Sequence, residues 1–114
     1  MDEISFALIS KALDGLNLRY LYTAQNIANA NSPDYRPVRV SFEESLRAAA
    51  VRGAPAIERV EPRILTEASL EGETALRLDL ELATASQTAS RYRALMEILG
   101  RQMALHRSVV TAGR

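Results

Sequence analysis

The sequence contains no cysteine and no tryptophan. Without cysteine there can be no disulfide, no thiolate metal site and no cysteine nucleophile, and the redox compartment stays open. Aromatics are scarce, with four Tyr and two Phe in 114 residues. The apolar fraction of 47% is ordinary, but eighteen of its members are alanine. Alanine favours helix and buries little area, so a thin private core is expected, with long helices that finish burying their faces against partners. No run approaches the ~20 apolar residues of a membrane span. The start, Met1-Asp2-Glu3-Ile4-Ser5-Phe6, lacks the basic and apolar regions of a secretory signal. Net charge is absent too, 14 basic against 14 acidic residues. That argues against nucleic-acid partners, whose phosphates reward a positive surplus.

The charges that are present are unevenly placed. Residues 57–81 carry a net charge of −4 and residues 82–114 a net charge of +4. Such asymmetry suits a subunit that meets other subunits, and it equally fits a solvated surface. The length suits a single domain over 1–114, with no room for a second core.

Helical periodicity dominates both ends. Phe6, Ile9, Leu13, Leu16, Tyr20, Thr23 and Ile27 recur in alternating steps of three and four, the spacing of a coiled-coil face, and predict a helix over 4–29 about 39 Å long. Leu78, Leu82, Ala85, Ala89, Tyr92, Met96, Leu99, Met103, His106 and Val110 continue the same steps and predict a second helix over 78–111. Asp79 and Glu81 in its first turn, with Arg101 and Arg107 toward its end, suit the helix dipole. The fold class expected is all-α. Two long terminal helices form an antiparallel coiled-coil-like hairpin, joined by an irregular middle.

Within Asn26-Ile27-Ala28-Asn29-Ala30-Asn31-Ser32-Pro33-Asp34-Tyr35 the first helix should stop, since Asn tolerates the left-handed conformation and Pro33 disfavours helix at Ser32. Ser32 to Tyr35 reads as a turn with Pro at its second place. From 30 to 77 the chain is irregular and expected to be mobile. Val38 and Val40 give a weak strand signal beside Pro37. Ser41-Phe42-Glu43-Glu44 has capping-box spacing ahead of a short helix over 42–51, and Arg63-Ile64-Leu65-Thr66 could form a short strand.

Chemistry is hard to find. His106, the sole histidine, has no His or Cys partner for a metal and no paired nucleophile, and is read as a packing or capping residue. Asp79 and Glu81 are read as dipole partners rather than an acid–base pair. Met96, Leu99 and Met103 are read as core filler rather than a ligand groove. No phosphate loop, nucleophile elbow or metal-spaced cluster is present. Neither an enzyme, a cofactor nor a small-molecule substrate is expected.

Three Asn in six positions are more than a helix stop requires. Asn26-Ile27-Ala28-Asn29, two residues, then Ser32-Pro33-Asp34-Tyr35 resembles the Asn-Ile-Ala-Asn-x-x-Thr-Pro-Gly-Tyr signature of flagellar rod and hook proteins. Leu16-Asn17-Leu18-Arg19, Phe42, Leu46, Asp79, Glu81 and Tyr92 are similar to the family's short proximal rod members, residues 50–77 matching least. Ser32 stands where the family has Thr and keeps the hydroxyl. Asp34 stands where it has Gly, and predicts a type I turn instead of type II. The resemblance implies a structural subunit exported by the flagellar type III apparatus without a cleaved signal, and built into the periplasmic rod. The partners it implies are further copies, other rod proteins, the rod-base adaptor and the MS ring. The family motif Asn26, Ile27, Ala28, Asn29, Ser32, Pro33 and Tyr35 would mark the assembly turn. The helix seam would be Phe6, Ile9, Leu13, Leu16, Tyr20 and Ile27 with Leu82, Tyr92, Met96, Leu99, Met103 and Val110. The competing reading is a small soluble helical adaptor or export-chaperone-like binding module.

Overall fold

A computed structural model describes residues 1–66 and 78–113. The chain is mostly helical. Helix α1 spans Glu3–Ala28, strand β1 Val38–Ser41, α2 Glu43–Ala50, α3 Ala54–Glu58, β2 Arg63–Thr66 and α4 Leu78–Ala112. The molecule is elongated, 63 × 27 × 14 Å. The two long helices were legible to within two residues at every end, because unbroken heptads are a strong signal. In α1, Asp2 is the N-cap and accepts a 2.7 Å hydrogen bond from the Ser5 amide.

The middle is more ordered than its breakers suggest. Strands β1 and β2 pair antiparallel, Val38 with Thr66 through Ser41 with Arg63, so a small two-stranded sheet accompanies the helices. The capping box does not form. Ser41 belongs to β1, the N-cap of α2 is Phe42 with no side-chain cap, and Glu44 pairs with Arg47 at 2.6 Å. Phe42 instead turns inward as a core residue. The expected mobility of the middle falls partly on residues 67–77, outside the described residues.

The core lies between α1 and this middle. Ala7 and Leu16 of α1 meet Val40, Phe42, Leu46, Ala49, Ala54, Ala56 and Ile57, with Ala49 and Ile57 fully enclosed. Helix α4 contributes none of these. It docks on α1, with Tyr92 and Leu95 partly buried against the cluster.

Gly15 makes the closest approach in this core. A Cβ built there would lie 2.6 Å from the Phe42 ring, whose centroid sits 4.8 Å from the Arg19 guanidinium carbon. Gly-to-Ala in a helix interior ordinarily stabilises by about 1 kcal/mol. At Gly15 the sign should reverse, because an aromatic ring held by core and cation cannot yield, and overpacking of this kind costs about 1–3 kcal/mol. Urea denaturation of Gly15→Ala should show a lowered midpoint.

Candidate functional site

The residues of the Asn-rich turn converge on one buried node. Asn26, in the last turn of α1, has no exposed surface and uses its whole hydrogen-bonding capacity. Its Oδ1 accepts from the Val38 amide at 3.0 Å and the Tyr35 hydroxyl at 2.8 Å. Its Nδ2 donates to the Val38 carbonyl at 3.0 Å and to Glu81 Oε2 at 3.1 Å. Asn26 thereby pairs with β1 as a neighbouring strand would, on the edge opposite β2. Glu81, 1% exposed, completes the node by an ion pair with Arg39 of β1 at 2.5 Å. One amide thus ties together the end of α1, the turn, β1 and the first turn of α4. Tyr35 is pushed above the usual tyrosine range, chiefly by burial and then by the negative charge of Glu81.

Asn29 ends the helix by a different means from the one expected. Its φ of −102° is not left-handed. Its side-chain amide instead donates to the Gln25 carbonyl at 2.9 Å, and Ser32 Oγ donates to its Oδ1 at 3.0 Å, which uses the hydroxyl at that position. The turn also corrects the sequence reading. Asp34 has φ 62°, and the Tyr35 amide donates to the Ser32 carbonyl at 3.3 Å. This is type II-like geometry with an aspartate where glycine is favoured, not the type I turn that Asp suggested. Asp is among the few side chains that tolerate this region. Ile27 is half-buried, whereas Ala28, Ser32 and Pro33 are exposed.

The seam residues divide. On α1, Leu13, Leu16 and Thr23 are buried, Ile9 and Ile27 half-buried, and Phe6 and Tyr20 exposed. On α4 much of the expected stripe is exposed: Leu82 is 53% exposed, Met96 46%, Met103 58% and Val110 52%. Tyr92 and Leu99 are half-buried. His106 is exposed as well, so it packs into no core. The stripe that faces the rest of the chain is Glu81, Ala85, Thr88, Tyr92, Leu95, Leu99 and Gln102, all buried or half-buried. It has the same period but a less apolar composition. From Met103 to Gly113 every residue is exposed. Phe6 and Leu99, Met103, His106 and Val110 line an open hollow of about 630 Å³ between the helices.

Sequence reasoning missed Glu81 as a buried partner and read it as a dipole residue. The available signal was an acid set between Leu80 and Leu82, on a helix that would pack against another. Arg19 was also missed. Its guanidinium holds Glu43 through two bonds of 2.6 and 2.7 Å and the Val40 carbonyl at 2.7 Å. The Arg19 hydrogen bonds hold the Glu43 carboxyl down at about 2, against an ordinary 4.5. A carboxyl depressed in this way stabilises the fold fully above about pH 4.5, and the contribution is lost as pH falls toward 2. The Glu43 side chain is 44% exposed, so solvent screening leaves about 1 kcal/mol. Urea midpoints of the native chain and Glu43→Gln should differ at pH 7 and converge only as pH falls to about 2.

No group of three or more His, Asp or Glu side chains that could hold a metal ion occurs among the described residues. No helix among them is long and apolar enough to cross a membrane. The chain matches no protein-family model and no curated protein.

Proposed function

We propose that this chain is a structural, non-enzymatic subunit of the proximal rod of the bacterial flagellar basal body. It passes through the type III export apparatus without a cleaved signal and self-assembles in the periplasm. There it joins other rod proteins between the rod-base adaptor and MS ring and the distal shaft. The observation that carries this reading is the apolar stripe Leu82, Met96, Met103 and Val110, exposed along a helix of 35 residues. A monomer has no use for such a row, whereas neighbouring helices would bury it. The two long helices form an antiparallel coiled-coil-like hairpin. The Met1 amino group meets Gln102 Oε1 at 3.2 Å while Asn26 meets Glu81, which supports opposite directions. The resemblance of the segment 26–35 to the rod and hook signature supports the choice of family.

Disrupting the encoding gene tests the proposal. The strain should be non-motile, with basal bodies that stop before the rod, and the intact gene should restore both. Complete rods and normal swimming in the disrupted strain would reject it.

A further inference from the structure

The contact between α1 and α4 is built from a repeat that does not by itself fix how the helices align. On α4 it runs Ala85, Thr88, Tyr92, Leu95, Leu99 and Gln102, steps of three and four that return every seven residues. Sliding α4 by one heptad, about 10 Å along its axis, again sets small and apolar side chains against Leu13, Leu16 and Tyr20. Residues 67–77, which join β2 to α4, have a contour length of up to about 36 Å, against a slide of about 10 Å. What the slide cannot preserve is the polar node. Glu81 is the one charged side chain in the stripe, and it meets Asn26 and Arg39 only in the observed alignment.

We infer that Asn26 and Glu81 are positioning residues that select one register for α1 against α4, and thereby decide where along α1 the exposed side chains of α4 are placed. A slipped pair would take the Glu81 carboxylate about 10 Å from Asn26 and Arg39, and the Asn26 amide would lose an acceptor inside the protein. A single buried polar pair commonly sets register in this way in coiled coils. Here the consequence extends outward, because register fixes the placement of the exposed row Leu82, Met96, Met103 and Val110. The inference concerns the isolated chain and stands whatever that row binds.

The chain has no native cysteine, so two introduced thiols can carry nitroxide labels without background. Ala24→Cys and Arg101→Cys are both at exposed positions, on α1 and α4. Pulsed electron-electron resonance on this doubly labelled full chain should give one distance. Adding Glu81→Leu, which removes the acceptor while filling its space, should keep the far-ultraviolet helix signal. It should also produce a second distance displaced by about 10 Å, one heptad. Glu81→Gln retains an acceptor for the Asn26 amide and should restore the single distance. One unshifted distance in Glu81→Leu would overturn the inference, since apolar packing alone would then set register. Loss of helix in Glu81→Leu would overturn it too, by showing that the node holds the helices up rather than choosing among their alignments. Two distances in Glu81→Gln as well would remove the Asn26 hydrogen bond as the selecting contact.

Discussion

Asn26→Ala should destabilise the isolated chain by roughly 3 kcal/mol. The substitution removes four hydrogen bonds at once and leaves four groups behind: the amide and carbonyl of Val38, the Tyr35 hydroxyl and one oxygen of Glu81. Each buried group without a partner costs about 1–3 kcal/mol, and part of that is recovered where water reaches the half-buried Tyr35. Domains of this size hold about 5–15 kcal/mol in total, so the loss would show as a large drop in urea midpoint. Asn26→Asp should be no better, because it adds a second carboxylate beside Glu81 and removes both N–H donors. Tyr35→Phe should be far milder, since it deletes one of the two donors to Asn26 Oδ1 and leaves the Val38 amide in place.

The second large effect is on assembly rather than stability. Met96→Asp with Met103→Asp places two charges on the exposed row of α4. Both positions are open to solvent, 46% and 58% exposed, so the monomer should change by no more than about 0.5 kcal/mol. Once neighbours cover the row, each carboxylate would be buried without a partner, at a cost of several kcal/mol per contact. The same cost recurs at every subunit. The double variant should therefore be helical and exported at native levels, yet no rods should form. Circular dichroism, the secreted fraction and electron microscopy of basal bodies separate the three outcomes. Leu99→Asp would be a poorer probe, because Leu99 also lies in the stripe that faces α1, and folding would suffer along with assembly.

Reading the sequence recovered the long helices because their repeats are regular, and it singled out Asn26, Asn29, Ser32 and Tyr35 because Asn-rich runs before a proline are unusual. On α4 it drew a stripe that only half serves internal packing: Ala85, Ala89, Tyr92 and Leu99 are half-buried, while Leu82, Met96, Met103 and Val110 are exposed. Periodicity finds the most apolar stripe, but it does not say whether the same chain or another covers it. The stripe facing α1 carries Glu81, Thr88 and Gln102; Asn26 meets Glu81 and the Met1 amino group meets Gln102, pairings visible only once the helices are side by side. The core of the middle was obscured for a related reason. Ala49, Ala54, Ala56 and Ile57 are few and short, separated by Gly53 and Pro55, so no period survives. Phe42 read as part of a cap because spacing suggested a box, whereas Gly15 had already cleared room for its ring on α1. Asp34 was misread because residue preference alone favours a type I turn; the Tyr35 amide bond to Ser32 suits either turn type, and the left-handed Asp34 stands beside Tyr35, whose hydroxyl is fixed on Asn26.

The central claim is that neighbouring subunits cover the outer row of α4, and photo-crosslinking at Met96 tests it most directly. A photoreactive amino acid at that position, in otherwise native basal bodies, should give adducts whose masses match a second copy of this chain or another rod protein, in the exported and assembled fraction alone. If Met96 stays uncrosslinked in assembled basal bodies, or gives adducts only with a soluble protein before export, the row is not an assembly surface and the adaptor reading takes its place.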